Sequence, residues 1–132
     1  MKKLIFVISM IVASLLTFSK KSFALTLTLS GTEIKVEYNE PTTNADGTSL
    51  MDLDKTTIYY DKGQGTVKAG DILTTRVTGG GTINTTVTIP ITNGQEADVS
   101  VWATATDKSS NESAKSNIGI IRIDRLPPSP PN

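Results

Sequence analysis

Apolar and polar residues alternate in short runs along the chain after residue 24. Residues 25–29 alternate strictly, and in residues 34–38 the side chains of Ile34, Val36 and Tyr38 fall on one face of an extended segment. Threonine, valine and isoleucine fill these runs, whereas Gly, Asn and Asp separate them. β-Branched side chains fit a pleated surface and small polar residues fit turns, and no run has a helical period of useful length. The pattern predicts an all-β fold.

Seven short strands can be drawn in this part of the chain. Gly79-Gly80-Gly81 and Asn93-Gly94 are turn signals between them, and Asn-Gly is the strongest short hairpin signal. Strands at this spacing favour an antiparallel sandwich. The predicted strands are residues 25–29, 34–38, 56–61, one within 66–78, 82–91, 97–106 and 116–123. The predicted core is Leu27, Ile34, Val36, Tyr38, Ile58, Tyr60, Val87, Ile89, Val99, Val101, Ala103 and Ala105.

The last predicted strand changes the phase of its alternation. Ile118 and Ile120 share one face, whereas Ile121 and Ile123 share the other. Either a bulge near Gly119 resets the phase, or one of the two pairs is exposed. The sequence leaves both alternatives open.

The first 24 residues have the pattern of an export signal. Lys2 and Lys3 form a basic start, residues 4–18 are mostly apolar, and Ser22-Phe23-Ala24 is the small–x–small motif that signal peptidase accepts. The mature protein is then expected to begin at Leu25 and to be secreted, periplasmic or held at the cell surface. The alternative is an uncleaved anchor, but a membrane-spanning helix needs about 20 apolar residues, more than this run offers.

The chain therefore divides into three predicted parts. A signal peptide at residues 1–24 precedes a sandwich at residues 25–125. A tail or linker at residues 126–132 contains four prolines and cannot join a strand ladder.

Charge and composition exclude several classes of function. The leader takes four of the 13 basic residues and none of the 13 acidic ones, which leaves nine against thirteen, a net charge of −4. An acidic surface opposes binding to nucleic acid or anionic lipid, so we expect no nucleic-acid partner and no stable membrane span after cleavage. The chain has no cysteine and no histidine. It therefore has no disulfide, and it lacks the commonest general base and metal ligand, so we expect neither an enzyme nor a bound cofactor or metal.

Three segments carry a family resemblance. They are residues 36–50 (VEYNEPTTNADGTSL), 58–60 (IYY) and 103–117 (ATATDKSSNESAKSN). In this order they resemble the second strand with its loop, the third strand, and the sixth-to-seventh-strand passage of a bacterial extracellular fibronectin type III domain. The resemblance implies a seven-stranded antiparallel immunoglobulin-like sandwich, with the first, second and fifth strands in one sheet and the others in the second. It implies no particular function.

Two positions depart from the family pattern. Tyr38 stands where the family has a tryptophan, and it can replace a buried indole if its hydroxyl finds a partner. Val99 stands where the family has a tyrosine whose hydroxyl pins a corner of the fold. We therefore expect a less well anchored turn at residues 93–98.

Trp102, the only tryptophan, is the main candidate for binding. If Val101 and Ala103 face the core, alternation places Trp102 and Thr104 on the outer face of their sheet. In the family arrangement Tyr59 lies on the neighbouring strand, so Tyr59 and Trp102 would form an exposed aromatic patch suited to sugar stacking or a protein hot spot. Alternatively, Trp102 packs against threonine methyls and a lysine stem, or under the tail.

The long loop at residues 42–54 is the second candidate surface, with Asp46 as its candidate contact. Its acidic residues suggest calcium, but Leu53 stands where an EF-hand requires a bidentate glutamate. Asp46-Gly47 is better explained as a turn. Residues 107–113 are likewise interpreted as a polar hairpin loop whose side chains satisfy the turn backbone.

The sequence favours a non-catalytic exported binding or adhesion module. Its expected partners are a protein or a polysaccharide of the envelope or the extracellular matrix. The alternative hypothesis is a structural or assembly subunit that associates through its strand edges.

Overall fold

The computed structural model of the protein describes residues 25–132, and the predicted leader at residues 1–24 lies outside them. Seven strands and no helix occupy the described range. They are β1 (Thr26–Ser30), β2 (Glu33–Asn39), β3 (Leu53–Asp61), β4 (Thr66–Leu73), β5 (Thr82–Thr88), β6 (Glu96–Asp107) and β7 (Gly119–Asp124). The predicted all-β class and the number of strands are confirmed.

The strands form two antiparallel sheets of three and four strands. The first has the order β1-β2-β5 and the second the order β4-β3-β6-β7. The predicted membership of each sheet is therefore correct. Non-consecutive strands such as β3 and β6 pair side by side, which places residues far apart in sequence on one surface.

Apolar side chains of both sheets meet in one core. The members buried in this core are Leu25, Ile34, Val36, Tyr38, Ile58, Tyr60, Ile89, Ile91, Val99, Val101, Ala103 and Ile123. Leu27 and Val87, predicted as core, are half-buried and pack against it. Ala105 belongs instead to a small second cluster with Leu50 and Leu53. The Tyr38 hydroxyl and Thr56 Oγ1 lie 2.6 Å apart, a hydrogen bond that joins the two sheets and gives the buried phenol its partner.

Of the two alternatives for the last strand, the structure shows the exposed isoleucine pair. The ladder of β7 with β6 is regular, without a bulge at Gly119. Ile123 is fully buried and Ile121 packs on the core, whereas Ile118 and Ile120 are 50% and 71% exposed.

The bulge lies in β4 instead. Ile58 pairs with Gly70 while Tyr59 pairs with Lys68, so Ala69 is the extra residue. This insertion explains why the position of the fourth strand was hard to predict from its interrupted pattern.

The turn at residues 93–98 is anchored, contrary to expectation. Arg125 accepts a hydrogen bond from the Gly94 amide through its carbonyl (2.9 Å) and donates its own amide to Gln95 O (2.9 Å). Its guanidinium donates to Ile91 O at 2.6 Å. Arg125 thus anchors this turn through both its backbone and its side chain.

The proline-rich residues 126–132 are exposed and belong to no strand. Within residues 25–132, no helix with the length and apolarity needed to cross a membrane is found.

Candidate functional site

The outer face of the four-stranded sheet brings Tyr59 and Trp102 together. The two residues are directly paired across β3 and β6. Their ring centroids are 6.0 Å apart and their planes differ by 18°, a stacked arrangement. Val101 and Ala103 are fully buried, so alternation directs Trp102 away from the core as predicted.

The predicted exposure of this aromatic pair is wrong for Trp102. Its side chain is only 4% exposed, and Thr104 beside it is equally covered. The cover is the segment 112–118, called the strap here, which runs along β6 before β7 begins. Lys115 of the strap places its ammonium 4.2 Å from the centroid of the Trp102 ring, a cation–π contact. The alternative of packing against a lysine is the one that the structure supports.

Two strap serines hold the strap against β6. Ser113 and Ser116 each accept a hydrogen bond through the side-chain oxygen, from the amides of Ala105 and Ala103 respectively, both at 2.9 Å. Their own amides donate back to the carbonyls of the same two alanines, both at 2.8 Å. Serine side chains therefore replace a strand along this half of β6, which satisfies its backbone where β7 does not reach.

Glu112 joins the strap to the outer face. Its Oε1 accepts hydrogen bonds from the Thr104 hydroxyl (2.6 Å) and the Tyr59 hydroxyl (2.7 Å). These bonds, that from Thr104 first, lower the pKa of the Glu112 carboxyl. The same contact raises the pKa of Tyr59, because a neighbouring carboxylate disfavours the phenolate. The two hydroxyls thus hold Glu112 as a carboxylate.

Asp71 is the centre of a second polar cluster on the same face. Lys68 and Lys55 donate to its Oδ2 at 2.8 and 3.0 Å, and the Thr57 hydroxyl donates to its Oδ1 at 2.8 Å. Lys68, then Thr57 and Lys55, lower the pKa of Asp71 far below its usual range.

A shallow depression of about 310 Å³ lies between these clusters. It is lined by Asp54, Lys55, Thr57, Tyr59, Lys68, Thr106, Ser110 and Glu112. Glu112 of this lining already accepts hydrogen bonds from the Tyr59 and Thr104 hydroxyls, and the lining lysines Lys55 and Lys68 donate to Asp71. Among the described residues, no three acidic side chains come together in a way that could hold a metal ion.

Two apolar side chains flank the face beyond Trp102. Ile120 pairs with Ser100, whose neighbours Val99 and Val101 are fully buried, so Ile120 points outward. Ile118, the last residue of the strap, is also exposed. The phase change at Gly119 was the sequence signal for this pair, but alternation could not say which pair is exposed.

Asp46 is not part of this face. Its Oδ1 accepts hydrogen bonds from the amide (3.0 Å) and the hydroxyl (2.6 Å) of Thr48, within its own loop. These bonds lower the pKa of Asp46. Gly47 follows with φ of +86°, a left-handed conformation that favours glycine. The turn interpretation is confirmed.

Residues 107–113 form the expected polar loop. Asp107 Oδ1 accepts hydrogen bonds from the amides of Ser109 and Asn111, both at 2.9 Å, and Oδ2 accepts from the Asn111 side chain at 2.8 Å. The loop carboxylate therefore stabilises the turn backbone, as predicted.

Comparison of the chain with protein-family models, curated proteins and solved structures finds no match. The resemblance to fibronectin type III domains therefore remains a prediction.

Proposed function

We propose that this protein is an exported, non-catalytic binding module with a fibronectin type III-like sandwich. Its contact surface is the outer face of the four-stranded sheet, and its partner is a protein of the envelope or the extracellular matrix. The observation that carries the proposal is the exposed pair Ile118 and Ile120, which is 50% and 71% exposed on the sheet that carries the stacked Tyr59 and Trp102. Apolar side chains exposed on a flat sheet face and rimmed by charge are typical of protein contacts.

The rim of this face carries both charges. Arg122 lies two residues beyond Ile120 and pairs with Glu96 at 2.6 Å and with Asp98 at 3.0 Å. Lys115 lies over the Trp102 ring, with its ammonium 4.2 Å from the ring centroid. An apolar centre with such a rim suits a protein partner, since rim charges set orientation more than affinity.

A carbohydrate partner is less well supported. Sugar rings stack on the open face of an aromatic side chain, and Trp102 is only 4% exposed beneath Lys115. Tyr59 is half-buried, and its hydroxyl is engaged by Glu112. A sugar platform would require the strap to leave β6 and break the four hydrogen bonds of Ser113 and Ser116.

The carboxylates of this face are poorly suited to general-base catalysis. A general base should have a pKa near the operating pH, whereas the pKa values of Glu112 and Asp71 are both lowered. Both carboxylates are therefore weak bases at neutral pH. Export is supported by the leader-like residues 1–24. The lack of cysteine and histidine is compatible with export.

Partner capture with matched surface variants tests the proposal. Mature protein is immobilised and incubated with the envelope fraction of the source cells, and captured proteins are quantified by mass spectrometry. Ile120→Lys should reduce capture roughly tenfold, because it places a charge at the centre of the contact. Thr86→Lys, on the outward face of the other sheet, should capture like the wild type. Equal capture by both variants, with unchanged melting temperatures, would refute the assigned surface.

Assembly through strand edges is the second candidate. Among the seven described strands, β4 pairs only with β3, and Val67 and Leu73 on it are 40% and 71% exposed. The bulge at Ala69 and the ion pair of Lys68 with Asp71 oppose regular strand addition there. Sedimentation of the mature protein separates the candidates: concentration-dependent association favours assembly, and a monomer at high concentration contradicts it.

A further inference from the structure

Leu25, directly after the predicted cleavage motif, is fixed in the fold. Its side chain is 7% exposed. Its backbone N–H donates to Asn117 Oδ1 at 2.9 Å, and Asn117 Nδ2 donates back to Leu25 O at 3.4 Å. The Asn117 side chain thus forms hydrogen bonds with both the N–H and the C=O of Leu25, which lies 92 positions away in the sequence.

Packing explains why Leu25 is held at this place. A Cβ at Gly119 would meet Leu27 Cδ1 at 2.6 Å and Leu25 Cδ2 at 3.3 Å, so a side chain there would displace Leu27 from its present packing against β7. Strand β1 belongs to one sheet and β7 to the other. Leu25 and Leu27 therefore close the gap between the two sheets at this edge.

This position conflicts with cleavage of a folded chain. The Ser22-Phe23-Ala24 motif predicts that the bond between Ala24 and Leu25 is cut. A peptidase must bind the residues on both sides of that bond in an accessible, extended form. In the folded domain the residue after the bond is buried, and its amide is occupied by Asn117.

We infer that Asn117 is the binding site of a newly formed amino terminus, and that the bond before Leu25 is cut before β1 docks on β7. This inference rests on the proposed export. In the cleavage a water molecule adds across the peptide bond, its oxygen forming the new carboxylate of Ala24. Leu25 keeps the nitrogen as an amine, which is protonated at neutral pH because an α-amino group has a pKa of about 8. The resulting ammonium keeps an N–H for Asn117 Oδ1.

The amino terminus of the exported protein is the first test. Intact-mass measurement of protein purified from the exporting cell should show a chain that begins at Leu25. A protein that retains residues 1–24 and stays in the cytoplasm would refute the proposed export. A protein that is exported but begins elsewhere would leave export standing and refute only the role of Asn117.

Titration of the Leu25 amine is the second test. Asn117→Asp places a carboxylate against the amine, so the pKa of the amine, followed by NMR, should rise by about one pH unit. Asn93→Asp adds the same charge in the turn that follows β5. This turn lies at the end of the sandwich away from Leu25, because the Ile89 amide bonds to the carbonyl of Thr32, which follows the far end of β1. This control should leave the amine within about 0.2 pH units of the wild type, because exposed charges beyond roughly 10 Å are screened at moderate salt. Equal shifts in the two variants would contradict the contact.

The order of events has its own measurement. The full-length chain, folded in detergent, should be cut by purified signal peptidase at least tenfold more slowly than the same chain kept unfolded in urea that the enzyme tolerates. Asn117→Ala should speed cleavage of the folded chain, because it releases Leu25. Cleavage of the folded wild-type chain at the rate of the unfolded chain would overturn the inferred order.

Discussion

Trp102 shows how a surface position becomes a packing position. Alternation directs it outward, but the strap covers it, and a 4% exposed indole contributes to stability through burial. We expect Trp102→Ala to lower the free energy of unfolding by about 3 kcal/mol, because it leaves a large cavity under Lys115. Chemical denaturation measures this change. A melting temperature equal to that of the wild type would contradict the packing role and return Trp102 to the binding surface.

Asp71 should give the protein an acid-sensitive contribution to stability. Its pKa in the folded state is lowered by Lys68, Thr57 and Lys55, so the folded state binds its proton less readily than the unfolded state does. The contribution is present above the unfolded pKa of about 4 and is lost as the pH falls toward the folded value. In the wild type the melting temperature should therefore fall as the pH is lowered below about 4, and this part of the curve is called the acid limb. Asp71→Asn should make the acid limb less steep. Glu33→Gln, an exposed carboxylate on the other sheet, should leave the limb unchanged; an identical limb in Asp71→Asn and the wild type would refute the cluster's role.

Glu40 is a buried carboxylate that is incompletely satisfied. It is 4% exposed, its Oε2 accepts one hydrogen bond from the Gly81 amide at 3.2 Å, and its Oε1 has no partner among the described residues. Burying a charge with so little compensation is unfavourable. Glu40→Gln keeps an acceptor for Gly81 and should raise the free energy of unfolding by about 1 kcal/mol at neutral pH. Glu37→Gln serves as the control, since Glu37 is an exposed glutamate of β2, the strand that ends one residue before Glu40. A loss of stability in Glu40→Gln would contradict the argument.

At the scale of elements, the strap depends on two serine side chains. Ser113→Ala or Ser116→Ala leaves the amide of Ala105 or Ala103 without its acceptor, which should cost about 1–2 kcal/mol each. Hydrogen exchange should accelerate at the amide that loses its partner. Ser109→Ala provides the control, because Ser109 bonds to Asp107 through its backbone amide, which the substitution keeps. Unchanged protection of Ala103 and Ala105 would show that the serines do not hold the strap.

The strands were predictable and the strap was not, for a physical reason. Alternation reports which side chains a strand buries, and it located six of the seven strands and left the bulged β4 only approximately placed. The strap carries no periodic pattern, since its serines bond to a backbone that is distant in sequence. The resemblance to a known family supplied the sheet partners, but it said nothing about the cover over Trp102.

At the scale of the whole molecule, topology decides which side chains form the surface. The pairing of β3 with β6 unites Tyr59 and Trp102, and the pairing of β6 with β7 adds Ile120. The sequence indicated the first pair through alternation. It left the isoleucines undecided, because a bulge and an exposed pair give the same pattern, and only the regular β6–β7 ladder separates them.

The central claim is that the strap covers Trp102 and leaves Ile118 and Ile120 as the exposed apolar contact surface. Fluorescence quenching of the single tryptophan tests this claim most directly. Mature protein should show blue-shifted emission and weak quenching by acrylamide, since Trp102 is 4% exposed. Ser113→Ala combined with Ser116→Ala should increase the quenching without unfolding the sheets. Emission of the wild type at the wavelength of free tryptophan, with quenching as strong as in the unfolded chain, would contradict the account.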